Sequence, residues 1–342
     1  GYCTQLTHIT APKQAICYSS NKLPRSFFRR VACLLLLIMI SALSHADHPI
    51  TSLESSNNAP IRTTLIMPLV AGAAKSIYQD VTEGITSNKD LKISILMVDK
   101  TSSIEMVEQH ILENNSELVI ALGNTSYRLA ALLHIDTLVI AGGITGNQSL
   151  RPTLSLSSDP EAALKELKRV APHIENVMMV YNESLNGWWY HKAKKIAPKY
   201  GFNIVGYNAK DIRAGVQSYQ QLLDDATPNT SAIWLPLRNI VPSKTILPML
   251  LERAWSKKLA VFSNNPSHTK LGGLMAIYPE HQSMGSQLAE FAADHFQGKT
   301  NDSIIGTQEL RIAINLRTSS HIGIRLSASD QAGFDKVYPT QR

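Results

Sequence analysis

Amide and hydroxyl side chains cluster in short stretches of the sequence that each follow an apolar run. Such side chains both donate and accept hydrogen bonds, so together they suit the binding of a small polar solute. We expect the ligand-contacting residues to be Gly123, Asn124, Thr125, Ser126, Gly143, Asn182, Glu183, Asn186, Trp188, Arg238, Asn239 and Asn264.

The stretch 123–126 has two interpretations. An apolar run ends there in glycine, and Asn, Thr and Ser follow. The first backbone N–H groups of a helix lack internal partners, so a helix that begins here can hold an anionic group such as a carboxylate. Alternatively, Asn124 or Thr125 simply caps the helix. Position in the sequence does not separate these two roles.

Two larger side chains also have alternative roles. Trp188 follows a polar stretch, so its indole either stacks on a ligand or packs into the protein interior. Arg238 either pairs with a ligand carboxylate, lies solvated on the surface, or forms a salt bridge between two parts of the protein.

The sequence lacks the patterns that catalysis requires. It contains no GxSxG motif, no Gly-Lys phosphate loop and no HExxH motif. His268, His281 and His295 lack metal-ligand spacing, because the last two are about four helical turns apart. We therefore expect no catalytic residue, no metal site, no cofactor and no enzymatic activity.

The charge distribution argues against nucleic acid as a partner. The chain has 342 residues and a formal charge of +6, from 33 basic and 27 acidic residues. Five of the basic residues and none of the acidic ones lie in residues 1–46, so the remainder is nearly neutral. Such a body has little electrostatic attraction for a phosphate backbone. The three cysteines, at positions 3, 17 and 33, lie in the same segment, which leaves the rest of the chain without disulfides.

Residues 1–46 are predicted to be a leader that is removed. Within 25–46, three arginines precede 13 apolar residues and then the small-residue pattern Ser44-His45-Ala46. This pattern predicts a secretory signal peptide cleaved after Ala46 and a periplasmic protein. A membrane anchor is the alternative, but a span needs roughly 20 apolar residues. Residues 47–61 are polar and are predicted to form a flexible lead-in.

From residue 62 onward, β-branched runs alternate with helical patterns in two similar series. This alternation predicts an α/β fold with two lobes, each a mostly parallel sheet flanked by helices. We assign 62–150 to the first lobe, to which part of the C-terminal region, about 272–300, is expected to return, and 151–271 to the second. Residues 301–342 are expected to pack across both lobes. The loops at the carboxyl ends of the strands then form the binding edge, with the ligand cleft between the lobes.

The body of the chain, from about 62 to 339, resembles the substrate-binding proteins of ABC transporters, in the group that includes binders of aromatic amino acids. The matching stretches, in order, are LVIALGNTS at 118–126, VMMVYNESLN at 177–186, AIWLPLRN at 232–239, LAVFSNN at 259–265, GGLMAIYPEHQSMGSQLAEFAADHFQG at 272–298 and INLRTSSHIGI at 314–324. The resemblance implies a two-lobed periplasmic-binding-protein fold that closes on a small-molecule ligand, with an ABC permease as partner. It also implies that 123–126 clamps a carboxylate and that 182–186 faces it from the other lobe.

Two departures leave the function open in part. Arg238 stands where the family often has an acidic residue suited to an α-amine, which weighs against an amino-acid ligand. The stretch after the fourth strand is also short. We expect a monomeric binder of an amino-acid-like or carboxylate-bearing solute in an uptake system. The alternatives are a sensor that signals to a membrane histidine kinase or diguanylate cyclase, and a periplasmic enzyme.

Overall fold

The computed structural model describes residues 59–146 and 151–340. The predicted signal peptide, its cleavage site and most of the lead-in therefore lie outside the described residues. Within these two ranges, none of the helices combines the length and the apolar character that a membrane span requires.

Strands and helices alternate along the described chain, as the sequence pattern predicts. The first elements are β1 (Ile61–Pro68), α1 (Ala73–Thr86), β2 (Leu91–Val98), α2 (Ile104–Glu113), β3 (Leu118–Leu122), α3 (Asn124–Ala130), β4 (Leu138–Ile144) and β5 (Thr153–Ser158). They are followed by α4 (Pro160–Val170), β6 (Asn176–Tyr181), α5 (Glu183–Ile196), a 3₁₀ helix (Ala197–Tyr200), β7 (Asn203–Asn208), α6 (Ile212–Asp225), β8 (Ser231–Trp234), α7 (Ser243–Lys257), β9 (Ala260–Ser263) and α8 (Pro266–Leu271). The last elements are β10 (Met275–Pro279), α9 (His281–Phe296), β11 (Ile304–Thr307), β12 (Leu310–Asn315), α10 (Leu316–His321), α11 (Ala328–Ala332) and β13 (Lys336–Tyr338).

These strands form two sheets. The first has six strands in the order β11-β5-β4-β3-β1-β2, and all of its pairings are parallel. The second has seven strands in the order β13-β12-β10-β9-β8-β6-β7, and only the β10–β12 pairing is antiparallel. The predicted α/β fold with two lobes, each a mostly parallel sheet, is confirmed.

Each sheet has an apolar core on both of its faces, which is why its central strands read as continuous apolar runs. In the first sheet, every residue of β3 is buried. One face of that sheet packs against α1 and α9, and the other packs against α2 and α3. The second sheet has one core that contains Trp189, Trp234 and Phe262 and another centred on α6 and α7.

Helix α4 begins with a side-chain cap and a proline in its first turn. The Asp159 side chain accepts hydrogen bonds from the backbone N–H groups of Glu161 and Ala162 at 3.0 and 3.2 Å. Pro160 occupies the first helical position, where its missing N–H has no intrahelical role. The same carboxylate pairs with the Lys192 ammonium on α5 at 2.5 Å, which joins α4 to its neighbour in the second lobe.

The chain passes between the sheets three times, through short crossings at 158–160, 279–281 and 307–310. The crossings hydrogen-bond to one another: Asp159 N–H donates to the Thr307 carbonyl at 2.8 Å, and Glu280 N–H donates to the Glu309 carbonyl at 3.0 Å. Strands β5, β10 and β11 all leave their sheets at the carboxyl edge, and β12 enters the second sheet at that same edge. The carboxyl edges of the two sheets therefore adjoin at these crossings.

The positions of three strands differ from the expected lobe bounds. Strand β5 lies in the first sheet, although residue 151 was expected to open the second lobe. Strand β10 stays in the second sheet, and only α9 and β11 return to the first lobe. The sequence TLSLSS of β5 has few apolar residues, and its hydroxyls are satisfied by backbone carbonyls, as in the 2.5 Å bond from Ser155 to Thr145. A polar strand of this kind gives no hydrophobic pattern to detect.

Candidate functional site

The first lobe brings Gly123 and Gly143 together at the carboxyl edge of its sheet. Gly123 N–H donates to the Gly142 carbonyl at 2.9 Å. Gly123 has φ +86°, and a Cβ at this position would lie 2.6 Å from the Tyr78 hydroxyl oxygen. Glycine is therefore required here for both backbone conformation and space. Tyr78 packs partly buried beside this turn, and burial raises the pKa of its phenol.

The three polar residues after Gly123 differ in exposure. Asn124 is exposed and Thr125 is half-buried, while Ser126 is fully buried. Neither Asn124 nor Thr125 forms a side-chain cap of α3. The Ser126 hydroxyl has no hydrogen-bond partner within the described chain. Because buried polar atoms in folded proteins normally have a partner, the Ser126 hydroxyl is a candidate contact for a bound molecule.

In the second lobe, the side chains of Asn182 and Asn186 connect the loops that follow β6, β7 and β8 by hydrogen bonds. The Asn182 side chain caps α5 by accepting from Ser184 N–H and Leu185 N–H, and it donates to the Ala209 carbonyl at 2.8 Å. Asn186 has non-helical backbone angles and interrupts α5. Its Oδ1 accepts from Asn182 N–H at 2.9 Å, and its Nδ2 donates to the Arg238 carbonyl at 2.9 Å. Both amides are thus committed to shaping the loops.

Glu183, Asn239 and Trp188 also have partners inside the lobe. Glu183 lies on the surface and pairs with the His191 imidazole at 2.9 Å. Asn239 donates to the Tyr219 hydroxyl at 2.7 Å and accepts from Val241 N–H. Trp188 is only 8% exposed and packs into the apolar core of the second lobe. For Trp188 the structure corresponds to the packing alternative rather than to ligand stacking, because its neighbours are apolar side chains of the core.

Arg238 is exposed on the loop that follows β8. Its backbone carbonyl is held by Asn186, whereas its guanidinium forms no ion pair or hydrogen bond with the described residues. Arg238 thus forms no salt bridge between the lobes within the described residues, although the sequence left that role open. The guanidinium remains available to a carboxylate.

Asn264 lies at the end of β9 and reaches the first crossing. Its Nδ2 donates to the Ser158 hydroxyl, and Ser158 in turn donates to the Ile277 carbonyl at 2.9 Å. The Asn264 Oδ1 is buried and has no partner among the described residues. Sequence reasoning named Asn264 but missed Ser158, since a serine in an unrecognised strand carried no signal.

Partly buried histidines give the protein a predicted sensitivity to mild acid. Partial burial lowers the pKa of His268 and His281 below the ordinary value of about 6.5. The unfolded chain therefore binds protons more readily than the folded chain as the pH falls below neutrality, so stability is lost on acidification. We expect a lower melting temperature at pH 5.5 than at pH 7.5, measured by circular dichroism. A melting temperature that stays constant or rises over this range would contradict the assignment.

No group of three or more His, Cys, Asp or Glu side chains in the described ranges is arranged to hold a metal ion. Three surface pockets lie on other parts of the described chain, and none includes a predicted ligand-contacting residue. The candidate site is therefore a set of loops at two adjoining edges, built from amides, hydroxyls and one arginine.

The profile of the family described as ABC transporter substrate binding protein matches residues 157–330, about half of the chain. A comparison with curated proteins found no match. Among solved structures, the ligand-free, open form of a substrate binding protein with adhesive properties from Clostridium difficile is 15% identical, with a TM-score of 0.54 over 82% of this chain and 100% of that one. A domain in complex with L-Trp from Streptococcus pneumoniae is also 15% identical, with a TM-score of 0.48 over 82% and 100% of the two chains. The first of these likenesses shows the fold.

Proposed function

Because the chain belongs to the family of ABC transporter substrate-binding proteins, we propose that it captures a small polar solute between its two lobes. The lobes close on the solute, and the closed protein presents it to the membrane permease of an uptake system. The predicted signal peptide places this step in the periplasm. The protein acts there as a monomeric carrier that releases its solute chemically unchanged.

One observation supports this proposal most strongly. The adjoining carboxyl edges of the two sheets each contain a buried polar atom that has no partner among the described residues, Ser126 Oγ in the first lobe and Asn264 Oδ1 in the second. Leaving such an atom unsatisfied costs about 1–3 kcal/mol. A solute that donates to Asn264 and bonds with Ser126 would recover this free energy only when both lobes contact it. That dependence gives a physical reason for closure.

The charges of the predicted ligand-contacting residues indicate the class of solute. Glu183 is the one acidic residue among them, and its carboxylate is already paired with His191. Arg238 is the one basic residue among them, and its guanidinium is unpaired within the described chain. These residues therefore offer a cation to a carboxylate but no free carboxylate to an amine. We propose a small carboxylate-bearing solute that need not carry an α-amine.

A thermal-shift screen of amino acids, nucleosides and small carboxylates tests this proposal. We expect a carboxylate to raise the melting temperature and its primary amide to raise it much less, because only the carboxylate pairs with Arg238. Arg238→Gln should reduce affinity for the carboxylate about tenfold or more while leaving the solute-free melting temperature unchanged.

Arg325→Gln is the matched control, since Arg325 is exposed on the same lobe, beyond the opposite edge of the sheet. Equal shifts from a carboxylate and its amide would overturn the proposed charge preference. Turnover of the solute in place of saturable protection would overturn the binding function itself.

A further inference from the structure

A cavity of about 460 Å³ opens on the second lobe far from the crossings. Its walls include Trp255, Lys270, Leu271, Arg317 and Tyr338. This volume is within the range of pockets that hold small organic ligands.

The cavity lies at the amino edge of the second sheet. Asn315, which lines it, ends β12, and β12 runs antiparallel to β10. Asn315 N–H donates to the Leu274 carbonyl, immediately before β10 begins. The crossings lie at the other end of β10, five residues away, which corresponds to roughly 15 Å of strand. The cavity is therefore separate from the loops of the proposed solute site.

The aromatic wall of the cavity is fixed by its neighbours. The His321 ring stacks on the Trp255 indole with centroids 3.6 Å apart and planes 2° apart. His321 Nε2 also contacts the Trp255 carbonyl at 2.8 Å. The Arg317 guanidinium lies 5.5 Å from the Trp255 ring centroid, within the range of a cation–π interaction. The indole therefore holds the arginine in place at the cavity.

The cavity has an excess of positive charge. Neither Lys270 nor Arg317 forms an ion pair or hydrogen bond through its side chain within the described chain, and no acidic residue lines the cavity. The polar side chains of Asn315 and Thr318 are committed to the backbone, since they donate to the Thr269 and Gly272 carbonyls at 2.9 Å. Two cations thus face an apolar wall that includes Leu271, which is 67% exposed.

We propose that this cavity is a second ligand site, which binds a small organic anion with a flat apolar part, such as an aromatic carboxylate. The carboxylate lies between Lys270 and Arg317, and the ring lies against Leu271 and the part of the Trp255 indole that the His321 ring and the Arg317 guanidinium leave uncovered. This site is independent of solute capture between the lobes.

Tryptophan fluorescence provides a local test. Trp255 is 37% exposed, whereas Trp188, Trp189 and Trp234 are at most 8% exposed. Quenching of the fluorescence by acrylamide therefore reports mainly on Trp255. The variant Trp255→Phe measures how much of the quenched fluorescence comes from Trp255. We expect benzoate to protect Trp255 from the quencher saturably, and benzyl alcohol, which lacks the charge, to fail. The double variant Lys270→Gln/Arg317→Gln should bind benzoate at least tenfold more weakly.

Three controls keep the result specific. Lys270→Arg/Arg317→Lys retains both charges and should retain protection, and Lys195→Gln, an exposed lysine elsewhere on the lobe, should have no effect. Ser126→Ala should leave benzoate protection intact, which separates this site from the one between the lobes. Absence of saturable protection, equal protection by benzyl alcohol, or protection that survives the double neutralisation would overturn the proposal, as would its loss in Ser126→Ala.

Discussion

Replacing Gly285 with alanine is expected to lower the free energy of unfolding of the first lobe by about 3 kcal/mol. Gly285 lies on α9 where that helix crosses α1, and a Cβ there would lie 2.0 Å from the Val81 carbonyl oxygen. A Cβ at Gly84, on α1, would likewise lie 2.0 Å from the Gln282 carbonyl oxygen. The obstructing atoms are backbone, so the helices must move apart to admit a methyl group.

The measurement is urea unfolding followed by far-ultraviolet circular dichroism. All four tryptophans lie in the second lobe, so their fluorescence reports on that lobe and should change less than the dichroism. Gly187→Ala is the matched control, because a Cβ there meets only the end of the flexible Glu183 side chain. Equal stability of Gly285→Ala and the unmodified protein would show that the two helices do not cross this closely.

Ser126→Ala is expected to affect stability and binding in opposite directions. The substitution removes a buried hydroxyl that has no partner in the described chain, so the solute-free melting temperature should stay the same or rise. The same change removes a proposed contact, so affinity for the solute should fall about tenfold to a hundredfold, which corresponds to roughly 1.4–2.7 kcal/mol. Isothermal titration calorimetry and thermal unfolding measure the two effects separately.

Thr137→Val is the control for this prediction. The Thr137 hydroxyl is also buried and has no partner in ranges 59–146 and 151–340, but Thr137 precedes β4 and therefore lies at the amino edge of the first sheet. Removing its hydroxyl should leave affinity unchanged. If Ser126→Ala destabilised the solute-free protein and bound solute normally, Ser126 would be a structural residue and not a ligand contact.

The sequence predicted the parts of the fold that depend on local pattern. Apolar runs such as 118–122 are buried strands, and the helical patterns between such runs form helices. The polar strand β5 was missed because its hydroxyls bond to distant carbonyls, as Ser158 does to Ile277. The close crossing at Gly84 and Gly285 was also missed, since 201 residues separate the two glycines and each has ordinary helical neighbours.

The loops of the candidate site were predictable from the sequence, but the role of each side chain within them was not. Parallel strands bring their carboxyl ends to one edge, so the loops after β3, β6, β8 and β9 were found from the sequence. Which side-chain amide is free depends on partners far along the chain. The Asn186 amide donates to the Arg238 carbonyl, whereas Asn264 keeps one buried atom without a partner in the described part of the chain. Trp188 was ambiguous for the same reason, because only the packed core decides where its indole lies.

The two carboxyl edges are expected to approach each other when a solute binds. The distance between spin labels on Arg128→Cys and Lys244→Cys reports this motion, because both positions lie exposed on helices that begin at the two edges. The chain from Asp47 onward has no native cysteine. With the most stabilising solute of the screen, the distance should shorten in proportion to occupancy. Saturable binding of that solute with an unchanged or longer distance would show that the lobes do not close on it.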